Sequence, residues 1–170
     1  KNHGLIPKVH VNQFSSMGGI QAAIDQGALS VDHLEELSNE DVHALKKGNC
    51  IATFLPGCSH FLSIPFGDAK RMIKENIPFA LASDYNPGST PCFNLQQIWS
   101  LACIKMNLTP QQAFNGLTIN GAAAMGLSDS HGKIKLGSNS PIILTHEIPS
   151  FEYIPYSFGE NIIQRVFIKE

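Results

Sequence analysis

The sequence predicts an α/β protein whose parallel strands lie buried beneath helices. Two observations carry this. Short β-rich runs alternate with helical segments four times between residues 5 and 105, the pattern of repeated βα units. Several of those runs, such as FALAS at 79–83, have almost no polar face, as strands covered on both sides require. Composition agrees: 43% of the 170 residues are hydrophobic and 15% are charged, enough apolar side chain to build a core and to exclude a disordered chain. Length alone suggests about one domain.

The first strand is expected at 5–11 (LIPKVHV), where β-branched residues follow a proline. A short helix follows at 18–26, with apolar Ile20, Ala23 and Ile24 on one face and Gly27 at its end. The second strand is 28–33 (ALSVDH). The helix at 38–47 carries its own start and stop signals: Ser38 as N-cap, Asp41 three residues on, and Gly48 beyond the last turn. The third strand, 50–55 (CIATFL), is stopped by Pro56-Gly57. A helix at 68–76 leads to the fourth strand at 79–83, and a fourth helix covers 95–105.

Beyond this the texture changes. Thr109-Pro110 caps and opens a helix to about residue 115. TINGAAAM (118–125) is a helix of small residues. Gly132, Gly137 and Pro141 bracket short strands expected at 133–135 and 141–145, and a last strand is expected at 162–168. Residues 131–170 therefore read as a small β appendage. Crossovers between parallel strands are right-handed almost without exception. Both an open doubly wound sheet and part of a (β/α)₈ barrel fit. No G-x-G-x-x-G or P-loop follows a strand, and Gly18-Gly19 reads as a helix entry rather than a phosphate cradle.

Several function classes are excluded. Net charge is −2 and no Lys/Arg block exceeds two residues, so no nucleic-acid partner is expected. No apolar run approaches the length of a membrane span, and no membrane partner is expected. The cysteines at 50, 58, 92 and 103 show no C-x-x-C spacing. With no secretory signal, they read as reduced, buried thiols of a cytoplasmic protein. The chain starts at Lys1 with no tag or leader pattern, which reads as a cut inside a larger chain.

In α/β barrels chemistry sits at the C-terminal ends of the strands. Strand one ends in His10, followed by Asn12 and Gln13. Strand two ends in Asp32-His33. Strand four runs into Asp84, then Tyr85-Asn86-Pro87-Gly88-Ser89. Two imidazoles and a carboxylate on three strand ends suit Zn²⁺ or Fe²⁺ with an open coordination position. Each also has a plainer reading: a strand-end histidine as a hydrogen-bonded core residue, and Asp84 as a turn cap. His60 reads as a loop residue, His43 as solvated on a polar helix, and His131 and His146 as turn residues.

Four segments carry a resemblance: KVHVNQFSSMGG (8–19), SVDHLE (30–35), LPGCSHFL (55–62) and ALASDYNPGS (80–89). TINGAAAMGL (118–127) and GKIKLGS (132–138) add to it. Together they resemble the imidazolonepropionase family, metal-dependent hydrolases of the amidohydrolase superfamily, over essentially the whole chain and in order. The D-x-N-P-G-S stretch with two upstream histidines is the specific part; T-x-N-G-A-A-x-x-G is shared widely in the superfamily.

The resemblance implies the C-terminal half of a TIM (β/α)₈ barrel, strands five to eight with C-terminal helices at 1–130, plus part of a small β-sandwich domain at 131–170. It implies one ion, Zn²⁺ or Fe²⁺/Fe³⁺, with His10 and Asp84 as ligands. It implies His33 as the residue that polarises the substrate carbonyl, Asp84 as proton acceptor, and Asn86, Gly88 and Ser89 as the substrate loop. The implied reaction opens 4-imidazolone-5-propanoate, a small-molecule substrate, to N-formimidoyl-L-glutamate in histidine degradation; a homodimer is one assembly open to such a chain, and the sequence does not fix it. Many members carry a glutamate as suspected base three residues after the strand-five histidine. Here Gln13 stands in that place, and an amide orients water but cannot take its proton. The family's H-x-H ligand pair occurs nowhere in these 170 residues, so the metal site is incomplete and the chain alone is expected to be inactive. Two other readings remain: another amidohydrolase that deaminates a heterocycle, and a non-catalytic half-barrel.

Overall fold

The computed structural model describes residues 3–168. Four parallel strands, β1 (Lys8–Val11), β2 (Ser30–His33), β3 (Ile51–Phe54) and β4 (Phe79–Leu81), pair in chain order. In register, His10, Asp32, Thr53 and Ala80 form one row, and Val9, Val31, Ala52 and Phe79 the next. A doubly wound sheet would reverse its strand order part-way; this one does not, which removes that alternative. Helices α1 (Gly19–Asp25), α2 (Asn39–Lys47), α3 (Pro56–Leu62) and α4 (Ala69–Lys74) fill the crossovers.

Period-two alternation divides the sheet chemically. The row containing Val31, Ala52 and Phe79 packs into the core with Ile20, Leu45, Met72 and Ile98 from the helices. The opposite face is more polar, with Lys8, His10, Ser30, Asp32 and Thr53 beside Ile51 and Ala80. Lys8 and His10 are exposed on the outer strand β1. An apolar face under helices and a polar face away from them leave the strand ends free for chemistry.

Local signals explain the helices. In α2, Ser38 accepts from the Asp41 amide while the Asp41 carboxylate accepts from the Ser38 amide, a complete capping box. Helix α5 (Leu95–Lys105) occupies the predicted residues and is capped by Asn94. In α6 (Pro110–Leu117), Thr109 and Gln112 form a second capping box with proline at the first position. Helix α7 (Ile119–Ala124) crosses the N-terminal ends of the strands: Asn120 Nδ2 donates to the Phe79 carbonyl, and Lys8 Nζ donates to that of Ala124.

Three expectations change. Pro56-Gly57 does stop β3, but it also opens α3, so His60 lies on a helix rather than in a loop. Proline has no amide hydrogen to lose at the first helical position. No strand forms at 133–135; Gly132 and Gly137, both at positive φ, turn the chain at either side, and Ile134 is exposed. The two expected β segments beyond it do pair, as the antiparallel β5 (Ile142–Thr145) and β6 (Ile163–Phe167). Between them lies an unexpected turn of helix, α8 (Tyr153–Tyr156). It docks on α5, where Gln96 Nε2 donates to the Ile154 and Ser157 carbonyls and Ser100 Oγ to that of Pro155. Trp99, Phe114 and Phe151 stack beside it with ring centres 5.1 Å apart. No helix among the described residues is long and apolar enough to cross a membrane.

Candidate active site at the strand ends

The C-terminal ends of β1, β2 and β4 all leave the sheet through left-handed backbone at residues other than glycine. Asn12 has φ 57°, His33 93°, Leu34 66° and Asp84 54°. Each such residue costs of order 1–3 kcal/mol, and such strain gathers where side-chain direction matters more than local stability. The kink at His33-Leu34 re-aims the chain so that Leu34 is fully buried and His33 95% buried.

His10 and His33 come together, their ring centres 4.1 Å apart at a 57° tilt. Behind His33 lies Glu35, whose Oε1 is 3.6 Å from Nδ1 and accepts a 3.0 Å hydrogen bond from Ser59 Oγ. Gln13 Nε2 donates to Cys58 Sγ at 3.4 Å. Burial is the main cause that pushes the Cys58 thiol up; the nearby Asp84 and Glu35 charges add to this, while hydrogen bonding to Ser89 and Thr90 opposes it. Cys58 therefore stays a neutral thiol, packed where the ends of β1, β2 and β4 approach one another. All four cysteines are free; Cys50 and Cys58 are buried as expected, Cys92 and Cys103 only partly.

The loop after β4 is built around Asn86. Its Oδ1 accepts from the Gly88 and Ser89 amides at 2.9 and 2.7 Å, and its Nδ2 donates to the Asp84 carbonyl and Ser89 Oγ. The Asn86 amide group is thus committed to shaping the loop. Gly88 is exposed, and Ser89 and Asp84 are half-buried. Gly57 lets α3 approach this loop: a Cβ there would sit 2.8 Å from Thr90 Cγ2 and 3.2 Å from the Ser83 carbonyl.

A second buried carboxylate fixes the loop after β1. Asp41 Oδ2 accepts from Asn12 Nδ2 (2.9 Å), Ser16 Oγ (2.6 Å) and the Ser38 amide (3.0 Å). Burial by itself pushes Asp41 up, but the hydrogen bonds from Ser16, Ser38 and Asn12 outweigh it and hold the carboxyl below its usual value. The sequence marks Asp41 as a helix cap and assigns Glu35 no role. A carboxylate two residues past a strand-end histidine is a weak hint by itself, and only the burial of Glu35 turns it into a partner for His33.

No three His, Cys, Asp or Glu side chains converge as a metal-binding group among the described residues. His10 and Asp84 offer an imidazole and a carboxylate, the donor types of a Zn or Fe site. They stand on the outer strands β1 and just past β4, and as a pair they match part of such a ligand set.

The profile of the amidohydrolase family matches residues 9–169. The chain belongs to the amidohydrolase family. It is 51% identical over 168 residues to the imidazolonepropionase of Christiangramia forsetii and 53% identical over 165 residues to that of Flavobacterium johnsoniae. These matches cover 99% and 97% of this chain but 41% and 40% of those proteins, so the chain spans about two fifths of the relatives' length. Among solved structures, A. niger ochratoxinase superposes with a TM-score of 0.76 at 20% identity, covering 98% of this chain and 41% of that one. A zinc-bound adenosine deaminase from Xanthomonas campestris gives 0.75 at 16% identity, covering 86% and 38%. At these identities the likeness is one of fold: a family member with a parallel sheet and helical crossovers.

Proposed function

We propose that this amidohydrolase chain is the C-terminal part of an enzyme that opens the cyclic amide of 4-imidazolone-5-propanoate to N-formimidoyl-L-glutamate. The observation that carries the reading is the identity above 50% to two imidazolonepropionases across nearly the whole chain. The geometry supports it, because His10, His33, Gln13, Asp84 and the 84–90 loop lie at the strand ends where this architecture places chemistry. In this reading β1 to β4 are barrel strands five to eight within residues 1–130, and 131–170 form part of a small β-sandwich domain. Both edges of the four-stranded sheet lack a partner among the described residues, which suits a sheet completed by further strands.

His10 and Asp84 would hold one Zn or Fe ion, together with ligands outside the described residues. Such an ion, when bound, lowers the pKa of water and polarises a carbonyl. Asp84 takes the proton of the attacking water, because Gln13 is an amide and can only orient that water. His33 faces the ring carbonyl and stabilises negative charge as it develops on the oxygen. The loop held by Asn86 presents Gly88 and the Ser89 hydroxyl to the imidazolone and its propionate.

The test is turnover by the full-length protein. Loss of the imidazolone absorbance with appearance of N-formimidoyl-L-glutamate is expected, and Asp84→Asn should nearly abolish it. Ammonia release from a heterocyclic amine, without ring opening, would point to a deaminase instead. No turnover of either class in metal-loaded protein would favour the non-catalytic half-barrel. Retention of most activity by Asp84→Asn would remove Asp84 from the base role.

A further inference from the structure

Glu35 is a buried carboxylate near the strand ends that neither the proposed chemistry nor the loop network around Asp41 uses. Its side chain is 1% exposed, and Glu35 Oε2 has no hydrogen-bond partner. His33 Nδ1 is likewise buried and unpartnered. The two groups face each other, with Nδ1 3.6 Å from Oε1. A buried carboxylate with one free oxygen beside a buried, unpartnered imidazole nitrogen is a complementary pair. Ser59 Oγ, itself buried, donates to Oε1 and holds the carboxylate from the α3 side. The left-handed turn through His33 and Leu34 brings the side chains of residues 33 and 35 to the same side of the exit from β2.

We propose that Glu35 is the positioning residue for His33: its carboxylate accepts a hydrogen from Nδ1, fixes the ring's orientation, and leaves Nε2 for the reacting oxygen. This rests on the reading of His33 given above. A ring held in this way has its Nδ1 side fixed on Glu35 and turns its Nε2 edge toward the reacting oxygen. The carboxylate sets the ring's orientation, as the orienting acid does in hydrolytic triads. Ser59 in turn orients Glu35, so the line from Ser59 through Glu35 to His33 links α3 to the site.

Two measurements test this in the full-length protein. The first needs no activity: in ¹⁵N-histidine-labelled protein, long-range ¹⁵N–¹H correlations of His33, assigned with His33→Gln, should show a hydrogen on Nδ1. That hydrogen should be lost or exchange-broadened in Glu35→Leu. A bare Nδ1 in the unmodified protein overturns the proposal. The second is kinetic, with 4-imidazolone-5-propanoate as substrate. Glu35→Gln should lower kcat roughly ten- to a hundredfold with KM changed by less than about threefold, and should cost nothing further in a His33→Ala background. Glu35→Asp, which keeps the charge on a shorter arm, should recover part of the loss. An equal loss with and without His33 means that Glu35 acts on the fold rather than through His33, and overturns the proposal. If the Nδ1 hydrogen is present but the substrate is not turned over, the assigned reaction fails and the pairing stands.

Discussion

Replacing Asp41 by alanine tests how the loop after β1 is held. Asp41 Oδ2 takes hydrogen bonds from Asn12, Ser16 and the Ser38 amide. They do not count equally. Ser16 is exposed and can turn to water. Asn12 Nδ2 keeps a second acceptor, the Glu36 carbonyl, but loses a bond to a charged group in a buried place, about 1.5–3 kcal/mol. Loss of the capping box from α2 adds about 1 kcal/mol. The expected total is about 2.5–4 kcal/mol, or roughly 5–15 °C in Tm for a chain of this size. Urea and thermal unfolding followed by the fluorescence of Trp99, the single tryptophan, measure it. Asp41→Asn keeps an acceptor oxygen but not the charge, and should lose about half as much. The direction of the pH effect is also set. Because the folded carboxyl is held below its usual value, its contribution is complete above the ordinary aspartate range and fades as pH falls through the lowered value. Asp41→Asn should therefore flatten the acid side of the stability profile. A stability within about 0.5 kcal/mol of the unmodified protein at pH 7, the range of ordinary surface changes, would refute the reasoning.

Two further predictions concern the loop after β4. Gly57→Ala places a methyl within 3 Å of Thr90 and Ile98 side chains and should cost about 1–3 kcal/mol as an overpacking change; the same unfolding assay reads it, and a neutral outcome contradicts the close approach of α3. Asn86→Ala removes the bonds that fold the loop onto itself. It should raise KM for the imidazolone more than it lowers kcat, whereas a pure kcat loss would mean that Asn86 meets the reacting atoms directly.

What was legible in the sequence was what local chemistry decides. Ser38 with Asp41 and Thr109 with Pro110 and Gln112 announce α2 and α6 because a cap is a short-range hydrogen bond. Apart from 133–135, each expected strand run contains an observed strand and extends one to three residues beyond it at one or both ends, because apolar residues continue past the last ladder bond. The order of the strands was left open, since period and burial are the same in a barrel segment and a doubly wound sheet. What stayed hidden depends on contacts distant in the chain. Pro56-Gly57 reads as a stop, and only the packing of Gly57 against Thr90 and Ile98 shows why a helix begins there. Helix α8 exists because α5 offers Gln96 and Ser100 to its carbonyls. At the site, His10, His33 and Asp84 stand at the expected strand ends; His and Asp are types that tolerate left-handed backbone, but nothing local in the sequence says that these two adopt it. Glutamate is normally an exposed residue, so the burial of Glu35 behind His33 became visible only with the fold.

The proposal at the centre of this account is that His10 and Asp84, from opposite edges of this sheet, would hold one metal ion beside His33. Anomalous diffraction from crystals of the metal-loaded full-length protein, collected on both sides of the zinc and iron edges, tests it most directly. The account predicts a single ion ligated by both His10 and Asp84, with the His33 ring next to it. An ion bound elsewhere, or one that touches neither residue, would contradict it.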